Sequence, residues 1–237
     1  MLSAEAVRLA AIEILCPTAA AISGEGLPTL AGVRVFDSRA ASIEDLDRAR
    51  DYTPVLALYT PESASAPRGE MSDAADADAT AILEVMAELS VAATDGGEEF
   101  ADAMADTDPV ARLVLMALCA QVRKLLEHSQ SGGLWRKLVK RIVRVEYQSF
   151  AVPELGLRWQ RTRMRYQLEI RDDDFDMEAG GLPAPLNRVF EDLPNESYAK
   201  AKLAQLAAAF AGEAIPPLQS IHLTTGPIVS GPDFTDP

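Results

Sequence analysis

Residues 157–171 alternate apolar and polar side chains with a period of two. Met164, Tyr166, Leu168 and Ile170 fall on one side; Arg161, Arg163, Arg165, Gln167, Glu169 and Arg171 fall on the other. That period predicts a strand with one buried and one wet face. Residues 138–150 read more roughly the same way, with Val143, Val145 and Tyr147 against Arg144, Glu146 and Gln148. The short break between the two runs carries Pro153 and Gly156, so together they predict a β-hairpin. Val55 to Thr60, after Pro54, predicts a central strand, and Val33 to Asp37 a short one. Thr80 to Ala93 fits two periods. Leu83, Val85, Leu89 and Val91 alternate, whereas Ile82, Val85, Met86 and Leu89 form a helical stripe, and its Ala, Leu, Glu and Met content favours helix. Loop-like flanks and alternation along the whole run decide for a strand.

Helical signals flank these runs. Ser3 predicts the cap of a first helix, with Glu5 in its first turn, Val7, Ala10, Ala11 and Ile14 on one face, and Pro17 as its stop. Ser42 with Asp45 resembles a capping box opening a short helix through Arg50. Pro109, after Thr107 or Asp108 as cap, opens a helix to about His128. That helix is apolar almost all round at its start, which predicts the buried central helix. A short helix near Pro185 to Asp192 follows, then one opening at Asn195 or Ser197 and carrying Leu203, Leu206 and Phe210. Acidic stretches near 61–79 and 94–107 read as exposed loops, and residues 216–237 as a Pro-rich extended arm in which Ile221-His222-Leu223 is one short strand. The fold class expected is α+β. It comprises a mixed, mostly antiparallel sheet of four to five strands with helices on one face, over residues 1–178. A C-terminal helical appendix and arm occupy 179–237.

Charge narrows the functional classes. The chain carries 36 Asp/Glu against 22 Lys/Arg, a net −14, which opposes nucleic-acid binding by the whole chain. The imbalance is uneven. Residues 134–171 hold ten Lys/Arg and three Asp/Glu, whereas 62–108 hold thirteen acids and one base, Arg68. Two cysteines, Cys16 and Cys119, make no disulfide framework and suit a reducing compartment. No apolar run reaches the ~18 residues of a membrane span. Glu5, Arg8 and Glu13 interrupt what a signal peptide would need as an apolar segment. A soluble protein made in a cytoplasm is expected, with no membrane partner.

Catalytic and metal motifs fail on inspection. Asp172, Asp174 and Asp176 match the first slots of a calcium loop, but Met177 and Pro183 stand where Gly and Glu are needed, so a solvated strand end is the reading. Gly24-Glu25-Gly26 lacks the third glycine and the preceding strand of a dinucleotide loop. No nucleophile elbow occurs, and His128 and His222 are isolated. No catalytic, cofactor or metal residue is assigned, and no enzyme is expected; a cytoplasmic enzyme with an unlocated carboxylate pair is the alternative of another class. The informative local feature is the basic stripe. Arg158, Arg161, Arg163, Arg165, Lys140 and Arg144 are candidates for a protein–protein interface, since Arg suits bidentate carboxylate pairing. Aromatic interleaving is limited to Trp159 and Tyr147, too little for a nucleic-acid platform.

The chain resembles the tail terminators of long-tailed bacteriophages, prophages and gene-transfer particles. Four pieces carry the resemblance: Val35-Phe36-Asp37-Ser38-Arg39 with Ser42-Ile43-Glu44-Asp45-Leu46 and the run from Pro54 to Glu62; the strand at 80–93 followed by the helix at 109–128; Val143-Arg144-Val145-Glu146-Tyr147 with Arg161-Thr162-Arg163-Met164-Arg165-Tyr166 and Glu169-Ile170-Arg171-Asp172-Asp173; and Leu182-Pro183-Ala184-Pro185-Leu186 with Leu193-Pro194-Asn195-Glu196-Ser197-Tyr198-Ala199-Lys200. The resemblance implies a structural virion protein with no cofactor, assembled in the host bacterial cytoplasm. It implies a homo-hexameric ring at the head-proximal end of the tail, bound to the tail tube protein and the head–tail connector, with DNA only as cargo passing through the lumen. Another connector or minor tail protein is the alternative within the same machine.

Overall fold

The computed structural model describes residues 1–67, 77–128, 133–152, 157–176 and 181–210. It is α+β, as the sequence predicts. Among the described residues six strands form one sheet: β1 (Val35–Asp37), β2 (Thr53–Pro67), β3 (Ala77–Asp95), β4 (Glu98–Ala103), β5 (Val139–Val152) and β6 (Leu157–Ile170). The order is β1-β2-β3-β6-β5, with β4 also on β3. Only β1–β2 is parallel.

β3 is the spine. It pairs with β2 along one side and with β6 and β4 along the other. Pairing on both sides overrides the helix propensity of its residues. Leu83, Val85, Ala87 and Leu89 point inward with Leu56, Leu58, Met164, Tyr166, Leu168 and Ile170, and all are buried.

On that face lie α1 (Leu2–Leu15), α3 (Pro109–Glu127), α4 (Gly133–Leu138), α5 (Leu186–Asp192) and α6 (Tyr198–Phe210); α2 (Thr18–Ser23) follows α1. Buried residues of all five join the inner strands in one core, including Leu186, Val189 and Leu203 of α5 and α6. No helix among the described residues is long and apolar enough to cross a membrane.

Several expectations are corrected. The central helix is α1, which buries nine of its fourteen residues. α3 buries one face and leaves Val110 65% and Leu113 69% exposed. Asp108 does cap α3, accepting from the Val110 N–H. Ser3 is not the α1 cap. It lies inside the helix, fully buried, and the cap comes from across the chain. The Asp173 carboxylate accepts from the N–H of Leu2 (2.8 Å) and Ser3 (2.7 Å) and from the Ser3 hydroxyl. Part of the acidic run after β6 is therefore a helix cap rather than a solvated strand end. The capping box at Ser42 and Asp45 forms, but it opens only a 3₁₀ turn, Ile43–Asp45.

Both acidic loops contain strand. Residues 61–67 continue β2 past an irregularity between Tyr59 and Glu62, opposite 77–82 of β3. Residues 98–103 are β4, joined to β3 by Gly96 and Gly97, whose φ of 59° and 93° suit a tight hairpin turn. The strand expected at Ile221–Leu223 and the arm from Pro216 lie outside the described residues.

Candidate functional site

The register fixes where the basic stripe goes. Three transverse rows cross the face of the sheet away from the helices: Val55–Glu88–Arg161, Ala57–Met86–Arg163–Gln148, and Tyr59–Glu84–Arg165–Glu146. Val55, Ala57 and Tyr59 of β2 are followed on β3 by Glu88, Met86 and Glu84, and then by arginines on β6. Directly opposed opposite charges on neighbouring strands attract. Arg161 accordingly pairs with Glu88 and approaches Asp102 at 3.6 Å. Arg163 meets Glu84 at 3.6 Å and donates to Gln148. Arg165 bridges Glu62 at 2.8 Å and Glu84 at 3.4 Å. The basic block and the acidic block of the sequence thus meet inside one chain. Glu84 and Glu88 are the residues that reasoning from the basic stripe missed. The signal for them was the alternation of β3, which sets both opposite the inward leucines.

A groove of about 330 Å³ opens on this face, floored by Val55, Ala57 and Met86 and flanked by Tyr59 and the guanidiniums of Arg161 and Arg163. Arg161 also lies over the Phe150 ring at 5.5 Å. Arg158 is separate. It shares the parity of buried Gln160 and Thr162, so it belongs to the helix side of β6, where it is exposed. Its carbonyl accepts from the Asp106 N–H.

Lys140 and Arg144 form a different group on β5, the last strand of the sheet. The β5–β6 register slips between Val139 and Arg141 and between Ile142 and Arg144. The slips set Lys140 and Val143 out of the ladder. Lys140 is exposed, Val143 is 54% exposed, and Arg144, 65% exposed in its side chain, has Glu146 two residues on at 2.8 Å. Arg141 beside them pairs with Glu169.

The opposite edge is acidic. A groove of about 560 Å³ runs beside β1, walled by Ile12, Cys16 and Ile22 on one side and by the start of α6 on the other. Four carboxylates line it, Glu13, Asp37, Asp45 and Glu196, against the one base Arg39. Arg39 grips Asp45 with both terminal nitrogens, at 2.6 and 3.1 Å, and stacks 4.0 Å over Phe36. The Arg39 hydrogen bond holds the Asp45 carboxyl down at about 2. Asp37 accepts from Arg8 and from the Tyr198 hydroxyl at 2.8 Å. Burial, with that bond to Asp37, pushes the Tyr198 phenol up to about 12. Glu13 accepts from the Thr18 N–H and hydroxyl and from Ser197. Glu196 is exposed at the mouth.

Among the described residues no cluster of three or more His, Cys, Asp or Glu is arranged to hold a metal ion. His128 is an exposed cap residue at the end of α3. No known protein-family model matches the chain, and no curated protein matches it.

Proposed function

We propose that this chain is a tail terminator of a long-tailed phage or a related particle, a structural subunit that closes into a ring on the last ring of the tail tube. The α+β fold, with its mixed sheet and helices on one face, is the architecture that the resemblance of the four sequence pieces implies. The observation that carries the reading is the asymmetry of the sheet's two ends. One end, β5, bears Lys140, Arg141 and exposed Val143 and Arg144; the other, β1, lies in a groove lined by four carboxylates and one arginine. A ring of identical subunits is built from two different, complementary patches on each copy, and opposite charge at the two ends of one sheet supplies that difference. The ring's role is to stop tube growth and to offer a surface to the head–tail connector.

Negative-stain electron microscopy of the purified full chain is the direct test. Sixfold rings with a hole wide enough for duplex DNA are expected, and a monomer at all concentrations would refute the ring. Deleting the gene from its particle separates the two structural readings. Tails of uncontrolled length support the terminator; normal free tails beside full heads identify a connector instead.

A further inference from the structure

Among the described residues, the outer edge of β1 has backbone groups without a hydrogen-bond partner. β1 pairs in parallel with β2 through Arg34, whose carbonyl accepts from Leu56 at 3.0 Å, and Ser38, whose N–H donates to Leu58 at 2.9 Å. Successive residues of a strand direct their N–H and C=O to opposite sides. Arg34, Phe36 and Ser38 therefore face β2, and Val35 and Asp37 face away from it. Among the described residues nothing bonds the backbone of Val35 or Asp37. Both residues line the 560 Å³ groove, so the unpaired groups open into it. Apolar side chains stand at its rim, with Ile22 70% and Val33 55% exposed. A groove holding an open strand edge, apolar walls and an acidic mouth is a receptor for an added strand of basic, β-branched sequence.

We infer that the added strand is β5 of a second copy, with Lys140–Arg144 of one subunit lying antiparallel along Val35–Asp37 of the next. This rests on the ring proposed above and names its subunit contact. Three observations select this occupant. First, β5 is the other end of the sheet, paired among the described residues with β6 alone, and its outer edge carries Lys-Arg-Ile-Val-Arg. Second, polarity fits. β1 and β2 run together, and three antiparallel steps lead from β2 to β5, so β5 runs opposite to β1. A neighbour placed by rotation about an axis along the strands brings its β5 antiparallel to β1, and repetition of that step can close a ring. Third, charge fits: Lys140, and Arg144 beside Glu146, are exposed on the entering strand, and Glu196 is exposed at the receiving groove, where Asp45 is held by Arg39. Pro61 and Pro67 stand at the two ends of the β2 extension and donate no hydrogen bond.

Sedimentation velocity and electron microscopy on four full-length proteins test this. Wild type is expected to form rings. Lys140→Glu with Arg144→Glu, and separately Glu196→Lys, are expected to weaken assembly, the former by about 100-fold, because like charges would face each other across a partly desolvated contact. All these side chains are exposed, and unchanged circular dichroism and melting will show that folding is intact. Val35→Pro removes an outward-facing donor and is expected to block the groove. If it does not fold, Glu196→Lys serves in its place. Mixing the β5 variant with Glu196→Lys sets new carboxylates against a new lysine, so rings are expected to return; mixing it with Val35→Pro leaves each copy one good edge. Dimers and no rings are then expected. Wild-type rings that persist unchanged in both charge variants would overturn the strand pairing and leave the ring standing. A wild type that never assembles would remove both.

Discussion

The bond between Asp173 and the start of α1 offers a sharp test of how this fold closes. The first N–H groups of a helix have no partner within it. Here one carboxylate, 170 residues away in sequence, takes two of them and the Ser3 hydroxyl as well. Replacing Asp173 by alanine strips an acceptor from three donors at once. Capping substitutions of this kind cost ~0.5–2 kcal/mol, and hydrogen bonds to a charged group contribute ~1.5–3 kcal/mol. Ser3 is wholly buried, so water can rescue its hydroxyl only if α1 shifts. The Leu2 end lies nearer the surface, where water replaces part of what is lost. The expected loss is about 2–3 kcal/mol, which at ~2–4 °C per kcal/mol for a chain of this size is a melting shift of roughly 5–10 °C. Asp173→Asn keeps one acceptor oxygen and should lose about half as much. Urea unfolding of wild type, Asp173→Ala, Ser3→Ala and the double variant measures the effect, with the cycle isolating the coupling. A Cm for Asp173→Ala equal to that of wild type, or a coupling near zero, would mean that α1 is not anchored by this carboxylate.

Further outcomes follow from other groups. Asp45, held at about 2 against an ordinary 3.8, contributes stability that is present above pH 4 and lost as pH falls from about 4 to 2; Asp45→Asn should flatten the urea midpoint over that window, and an unchanged slope would refute the Arg39–Asp45 linkage. Burial pushes the Cys119 thiol up to about 11, so it should stay unlabelled by a thiol reagent at pH 8 until the protein unfolds. Cys16 lines the β1 groove, and its labelling should slow further when subunits assemble. Arg161→Glu with Arg163→Glu would set new carboxylates against Glu88 and Glu84, so a lower urea midpoint is expected in the isolated subunit; an unchanged midpoint would show that the outer ladder does not stabilise the sheet.

Most of the framework was readable because it rests on local periodicity. β6 declares itself by clean alternation, β3 and β5 by a rougher one, and α3 by Pro109 with Asp108. Most of the misses depend on partners outside the stretch itself. Residues 61–67 are Ser, Ala and Pro with one Glu, a composition without strand character; they are strand because 77–82 lie beside them. β4 is acidic and short, yet Asp95-Gly96-Gly97 carried a hairpin signal that its charge concealed. α1 could not be ranked above α3 from apolar content, because α1 is rich in small alanines and α3 in large leucines. Which helix is central depends on how close each approaches the sheet, and alanine permits the closer approach. The long-range cap from Asp173 left no local trace.

The candidate site was half legible for a related reason. Sequence shows how much charge a stretch carries, but register decides which charges are already spent. The +7 of residues 134–171 looked like one surface. The sheet divides it into a face, where Arg161, Arg163 and Arg165 lie against carboxylates of β2 and β3, and an edge, where Lys140 and Arg144 reach no strand but their own hairpin. An arginine already holding a partner gains little from exchanging it for an equivalent one on another molecule, since both carboxylates must then be desolvated. A cation beside an unsatisfied strand edge gains backbone hydrogen bonds along with its ion pair. The arginines that are most conspicuous in the sequence therefore hold the subunit together. On the proposed ring, the less regular β5, whose bulges interrupt its alternation, brings exposed Lys140, and Arg144 beside Glu146 of its own strand, to the edge that meets the next copy.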